Sequence, residues 1–354
     1  MPRERIVSPE SQGPEEDRSS LALRPTRLSE VIGQADLCEK LTIAIQAAKQ
    51  RAEPLEHLLF HGPPGLGKTT LAHVVAAEMG AGIKTTSGPA LTRPADLVGI
   101  LTNLQTGDVL FIDEVHRLGP VVEEFIYPAM EDFRIDITVD RGSFARTINV
   151  PLQTFTMIGA TTRAGFLSAP LRERFGIFHH FTFYPEADLT EIARRTARLL
   201  EVEAEEAAMG EIARRSRGTP RVCIRLMRRV RDFAQVKADG RITSDIARQA
   251  LEMEAVDEGG LDALDRKFLR TLIGTYEGGP AGIEALAATL NEEVDTLVDM
   301  VEPYLLKIGY VARTRQGRVA TPAAYEHLDM TPPADGEKGK PNADGEQADL
   351  FNGQ

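Results

Sequence analysis

The chain has 354 residues, 42% hydrophobic and 27% charged, with 41 basic against 53 acidic side chains and a formal net charge of −12. That length exceeds one small core and implies two or three domains, and the composition is that of a globular protein, not a fibrous or membrane-embedded one. The two cysteines, Cys38 and Cys223, match no metal-binding spacing, so two buried thiols in a reducing, cytosolic compartment are expected.

The first residues, MPRERIVSPESQGPEED, lack the apolar core of a signal peptide, and no apolar run is long enough to span a bilayer. Residues 1–20 carry five acids against three bases, and residues 329–354 six against two. Half of the net charge therefore lies in two ends rich in Gly, Pro, Asp and Glu, both expected to be disordered. The overall acidity leaves nucleic-acid binding open.

Leu37, Leu41, Ile45 and Ala48 recur at helical spacing between residues 28 and 53. EHLLFHG (56–62) then reads as a short buried strand, followed by a glycine-rich turn and the helical run TTLAHVVAAEMG. The same alternation returns at GDVLFIDEVHRL (107–118) and at TFTMIGATTR (154–163). Buried strands separated by helices predict an α/β fold, a parallel sheet with helices on both faces. Between the second and third strands, IDITVD and TINVPL alternate around Arg141-Gly142-Ser143, which predicts a β-hairpin. Its apolar face, with Ile148 and Val150, has nothing local to cover it and reads as a docking surface.

After Tyr184-Pro185 the pattern is helical, with a break at RGTP (217–220). Residues 211–231 hold eight arginines and one glutamate, but Val222, Leu226 and Val230 give that run a core face. Its arginines are therefore expected in subunit contacts and acid pairs, not in a DNA stripe. Beyond Asp257-Glu258-Gly259-Gly260 come three short helices and a strand, turn, strand pattern, the layout of a winged helix.

GPPGLGKTT (62–70) fits G-x-x-x-x-G-K-[ST] and has the required strand before it and helix after it. Gly62, Gly65 and Gly67 let backbone amides approach phosphates at a helix N-terminus. Lys68 is expected to reach the β- and γ-phosphates of ATP, and the Thr69 hydroxyl to ligate Mg²⁺. The next strand ends in Asp113-Glu114, at the edge where open α/β sheets bind ligands. Asp113 is expected to hold the metal through water, and Glu114 to orient and deprotonate the attacking water. The other reading of this pair is a cap on the following helix. Thr161, at the tip of the third strand, suits either a contact to the γ-phosphate or the water, or an ordinary cap.

RTRQGRVAT (313–321) sets three arginines in six residues around Gly317. The preceding helix, NEEVDTLVDM, would turn Glu292, Glu293 and Asp295 towards phosphates, so sequence readout of bases is not expected. Arg313, Arg315 and Arg318 instead suit contacts to backbone oxygens of double-stranded DNA.

The order of the phosphate loop, FIDEVHR, a polar strand tip, LRERFG (171–176) and GTPR (218–221) resembles the AAA+ ATPases. With LRP, GQ, HGPPGLGKTTLA, the inserted hairpin and the winged-helix end, residues 21–328 resemble the RuvB family of Holliday-junction branch-migration motors. The resemblance implies a large AAA+ P-loop domain (21–184), a small helical lid domain (185–255) and a C-terminal winged-helix domain (258–328). It implies nucleotide contacts along Pro63, Leu66 and Thr70 of the loop, and an adenine pocket from Leu23, Arg24 and Tyr184. Arg221 is similar to the second sensor arginine, and Arg174 to an arginine finger given to a neighbouring subunit. Glu131, Asp132 and Phe133 match a stretch that the family places near nucleotide. A hexameric ring, RuvA as partner of the hairpin, RuvC in the wider complex, and Arg313 and Arg318 as DNA contacts are implied in the same way; Arg315 is added by its spacing. A clamp-loader-like ATPase and a nucleotide-assembled DNA scaffold share parts of the pattern. The wing weighs against the first, and Glu114 with Arg174 against the second.

Overall fold

Alternate residues of the central strands point to opposite faces, and both faces are apolar. A computed structural model describes residues 6–7, 23–139 and 146–332, and the chain divides into two compact units, Met1–Ala263 and Leu264–Gln354.

In the first unit, α1 (Ala35–Arg51) precedes β1 (Leu58–His61), which leads through the glycine-rich loop into α2 (Lys68–Met79). Then come β2 (Ile83–Ser87), α3 (Pro94–Leu101), β3 (Val109–Asp113) and α4 (Pro120–Glu131). The hairpin strands β4 (Arg134–Val139) and β5 (Arg146–Pro151) lie between α4 and β6 (Thr156–Thr161), which is followed by α5 (Ala169–Glu173) and β7 (Ile177–His180). Five strands form one parallel sheet in the order β2-β3-β6-β1-β7. Leu58, Phe60, Val109 and Phe111 pack to one face with α1 and α2. Leu59, Leu110, Ile112 and Met157 pack to the other with α3 and α4. This two-sided burial is why the strands read as continuous apolar runs.

Four helices follow: α6 (Glu186–Leu199), α7 (Glu206–Arg214), α8 (Pro220–Lys237) and α9 (Ser244–Met253). Pro220 opens α8 at a position where a missing N–H costs nothing. Leu189, Ala193, Val222, Leu226 and Leu251 continue the same apolar cluster as α1 and α2, so the helical lid shares its core with the sheet domain.

Several expectations are corrected here. Ile6 and Val7 fall in the acidic segment expected to be disordered, yet both are buried, and the Ile6 carbonyl accepts a bond from Arg225 Nη1 at 2.9 Å. An apolar pair with a buried arginine to satisfy its backbone offsets the polar composition around it. Three of the eight arginines in residues 211–231, Arg215, Arg217 and Arg225, are buried; the expected acid pairing is present where Arg215 bonds Glu211, and Arg215 also reaches the Val256 carbonyl. Of the two thiols, Cys223 is buried and its pKa is pushed up to about 12 by that burial, whereas Cys38 is only half-buried.

The hairpin pairs Ile135 with Val150 and Ile137 with Ile148. Its apolar face is not wholly uncovered, because Ile135 is buried in the cluster that includes Val122, Ile126 and Met130 of α4. Ile148 remains 51% exposed. The turn residues 140–145 lie outside the described part.

The second unit contains α10 (Ala263–Gly274), α11 (Ile283–Leu290), a short helical turn (Val294–Thr296), a π-helical turn (Leu297–Val301) and α12 (Glu302–Lys307). The two-stranded wing, β8 (Val311–Arg313) and β9 (Arg318–Ala320), and α13 (Pro322–His327) complete it. Ala281 bridges to Arg318 and adds a third short segment to the wing. Gly317 is buried at φ +146°, and a Cβ there would lie 2.4 Å from the Ala281 carbonyl oxygen. Gly317→Ala is expected to cost about 1–3 kcal/mol, read as a lower thermal midpoint for this unit; an unchanged midpoint would contradict the packing.

Candidate functional site

Because the sheet is parallel, the carboxyl ends of β1, β3 and β6 lie together. The glycine-rich loop leaves β1, Asp113 closes β3, and Thr161 closes β6 between them. Gly62 has φ +139°, and a Cβ there would sit 2.5 Å from the Phe181 carbonyl, so the loop's first turn requires glycine.

Lys68 is the first residue of α2 and nearly buried. Its Nζ donates to the carbonyls of Gly62 at 2.7 Å and Pro63 at 2.9 Å. Burial lowers its pKa to about 8 against the opposing pull of Asp113 and Glu114. A desolvated ammonium held by neutral carbonyls is prepared for an anion, whose charge would raise its pKa again. Burial and the neighbouring Glu114 raise the Asp113 pKa.

Glu114 takes a left-handed φ of 47°. Burial acts to raise its pKa, but hydrogen bonds from His116 and Thr162 outweigh it and hold the carboxyl below the usual range. Thr162 donates through Oγ1 at 3.1 Å and through its backbone N–H at 3.3 Å to Glu114 Oε2. His116 Nδ1 lies 3.1 Å from the same oxygen and 2.8 Å from Thr161 Oγ1.

At the strand tip, the geometry of Thr161 fits the cap, one of its two readings. Thr161 is fully buried and its Oγ1 accepts from the Arg163 N–H at 3.0 Å, so it faces the protein. Thr162, one residue on and of opposite parity, faces Glu114. Sequence reasoning missed Thr162 and His116, although the polar pair after the strand and the histidine two residues past Glu114 were visible signals.

One apolar cavity is lined by Leu23, Arg24, Tyr184, Gly67 and Thr70. The three residues expected at the adenine pocket therefore meet the phosphate loop. The cavity also includes Ile192 and Ile224 of the lid, which were not singled out. Tyr184 Oη donates to the Leu66 carbonyl at 3.3 Å, and the Arg221 backbone N–H to that of Gly65 at 3.4 Å. The first turn of α8 thus touches the loop, and the Arg221 charge acts on both Lys68 and Asp113.

Thr69, half-buried beside Lys68, and Asp113 offer hard oxygen donors of the kind Mg²⁺ takes. No cluster of three metal-ligating side chains exists among the described residues. The donor set therefore fits an ion that completes its shell with phosphate oxygens and water.

Arg174, Glu131, Asp132 and Phe133 are not brought to this end of the sheet. Gly176 and Ile177 both donate to the carbonyl of His57, the residue before β1. Phe133 packs against the rings of His57 and Phe155. These residues lie at the amino ends of the strands, separated from the phosphate loop by the length of β1, four residues or about 13 Å. Arg174 pairs with Glu131 at 3.1 Å, donates to the Pro170 carbonyl at 2.6 Å and stacks over Tyr127 at 4.3 Å. Its buried Nε has no partner among the described residues.

In the second unit, Arg315 is exposed at the turn of the wing. Arg313 and Arg318 are not free forks: both are bonded to Glu302. The expected recognition helix runs continuously from Val294 to Lys307 with a π-helical turn inside it, and Glu293 and Asp295 beside its start are exposed. No described helix is long and apolar enough to cross a membrane.

Three family models match the chain: the Holliday junction DNA helicase RuvB P-loop domain over 23–181, the RuvB AAA lid domain over 184–257, and the RuvB C-terminal winged helix domain over 258–329. Among solved structures, the RuvB Holliday junction branch migration motor of Thermotoga maritima is similar at 51% identity and a TM-score of 0.81, covering 88% of this chain and 100% of that one. A single-substitution variant of the same protein matches at 52% identity and a TM-score of 0.82, with coverage of 88% and 100%.

Proposed function

The chain belongs to the RuvB family of AAA+ branch-migration ATPases, and from that premise we propose that it is an ATP-driven hexameric ring that pumps double-stranded DNA through Holliday junctions in recombination and repair. The observation that supports the ring is the separation of the proposed site residues between two ends of the sheet. Lys68, Asp113 and Glu114 cluster at the carboxyl edge, whereas Arg174 is fixed at the amino edge of its own subunit. An arginine so far from its own phosphate loop can complete only a neighbour's site. Glu131, Asp132 and Phe133 belong to that same donated surface.

Within one site, ATP lies with its base against Leu23, Arg24 and Tyr184 and its phosphates in the loop, over the amide N–H groups of Gly65, Leu66, Gly67, Thr69 and Thr70, while Gly62 and Pro63 shape the loop's first turn. Lys68 exchanges its two carbonyl partners for β- and γ-phosphate oxygens. Thr69 directly and Asp113 through water would hold Mg²⁺, which would supply positive charge against the phosphates. Glu114, oriented by Thr162 and His116, takes the proton of the attacking water. Arg221, on the lid helix that touches the loop at Gly65, senses the phosphate state and couples it to lid position. The three domains, 21–184, 185–255 and 258–328, act as engine, lever and DNA grip, and Arg313, Arg315 and Arg318 grip phosphates without reading bases.

ATP-dependent migration of a synthetic four-way junction, with displacement of a triplex-forming strand from duplex DNA, tests the motor. A clamp-loader-like ATPase or a static scaffold displaces nothing. RuvA is the proposed partner of the hairpin, with RuvC in the wider complex. Because Val150 faces the buried Ile135, Ile148→Asp is the cleaner probe of that contact. It is expected to abolish stimulation of ATP hydrolysis by RuvA, measured as the ratio of rates with and without it. An unchanged ratio would exclude the hairpin as the docking site.

A further inference from the structure

Like charges directly opposite each other on a hairpin repel. Arg313 and Arg318 are such a pair, in register on β8 and β9. Their counter-charge is Glu302, the first residue of α12, which is 0% exposed. Arg313 Nε donates to Glu302 Oε1 at 2.8 Å and its Nη2 to Oε2. Arg318 does the same, Nε to Oε1 at 2.8 Å and Nη2 to Oε2 at 3.2 Å. Both guanidinium groups therefore spend the same inner edge on one carboxylate.

A guanidinium has five N–H donors in a rigid plane, and the inner edge uses two of them. The outer edge, formed by Nη1 and the remaining Nη2 hydrogen, is left on each arginine. Arg313 is 52% exposed and Arg318 18%. A fully buried carboxylate is costly, and an apolar residue at its place would serve hairpin packing alone as well or better. What an apolar residue could not do is fix two long cationic side chains side by side.

We propose that Glu302 is a positioning residue for DNA: it holds Arg313 and Arg318 with their outer edges presented together to the phosphate backbone of a duplex. The proposal rests on the reading of the wing as the DNA contact. The opposite role is sequestration, in which Glu302 competes with phosphate for the two arginines.

The two roles differ in sign. Glu302→Gln removes one negative charge, so sequestration, or a wing that acts only as a charge patch, predicts tighter DNA binding. Positioning predicts weaker binding in spite of the added positive charge. In a fluorescence-anisotropy titration of full-length protein with a labelled mixed-sequence duplex across a salt series, we expect Glu302→Gln to weaken binding by roughly fivefold or more. In a background with Arg313→Ala and Arg318→Ala, the same change is expected to have no further effect. Equal or tighter binding by Glu302→Gln, or a further loss in that background, overturns the proposal. Glu302→Asp keeps the charge and withdraws it by one methylene; if thermal unfolding shows the Gln variant to be misfolded, wild-type affinity in the Asp variant overturns the proposal instead. If Arg313→Ala and Arg318→Ala themselves leave affinity and salt slope unchanged, the wing is not the DNA contact and that reading falls first.

Discussion

Arg174→Ala is expected to lower ATP turnover by about 10³-fold or more while leaving nucleotide affinity of the same subunit's phosphate loop intact. Its guanidinium is held by Glu131, the Pro170 carbonyl and the Tyr127 ring, at the sheet edge opposite Lys68. Removal therefore subtracts nothing from the subunit's own loop, and everything that it contributes to the transferring phosphoryl is lost at the next site. Mixing supplies the decisive measurement. Rings assembled from Arg174→Ala subunits and Glu114→Gln subunits contain interfaces where an intact arginine from the second meets an intact glutamate of the first. Turnover should reappear on mixing two inactive preparations. Mixed rings that remain inactive would place Arg174 in its own subunit's chemistry, or in none.

The phosphate loop, the acidic end of β3 and the winged-helix layout were legible in the sequence because each depends on local spacing. Glycines at 62, 65 and 67 serve a backbone path with positive φ, a local requirement that the spacing itself announces. The features that were not legible depend on parity or on partners far along the chain. Thr161 and Thr162 are adjacent and chemically identical, and only the end point of β6 decides that Thr162 meets Glu114. Arg313 and Arg318 look like free forks until α12 brings Glu302 beneath them. The hairpin looks uncovered until α4, which precedes it, folds over Ile135. Ile6 and Val7 sit in a segment whose average composition is that of a disordered chain, and averages conceal a two-residue anchor. The acid pair of Arg215 was expected from the sequence, but the backbone carbonyls of Val256 and Ile6 that Arg215 and Arg225 satisfy lie too far along the chain to be read there.

Glu114→Gln is expected to lower turnover by about 10²–10³-fold with ATP affinity retained, and to leave the protein held on DNA in its ATP-bound form. The amide keeps the shape of the side chain and can still accept from Thr162, but it cannot take a proton from water. Near wild-type turnover would remove Glu114 from the base role. The acid limb of the pH profile gives an independent check. Burial alone would raise the Glu114 pKa; His116 and Thr162 reverse the sign and keep the carboxylate ionised below the ordinary range. The wild-type rate attributable to this base should therefore persist into acid and fall only as pH drops through that depressed value. His116→Ala removes the largest of the compensations, so burial regains weight and the folded-state pKa rises. Its acid limb should move to higher pH than that of the wild type, with the plateau rate reduced as orientation is lost. A limb that stays in place, with only the plateau changed, would mean that His116 orients the glutamate without stabilising its charge.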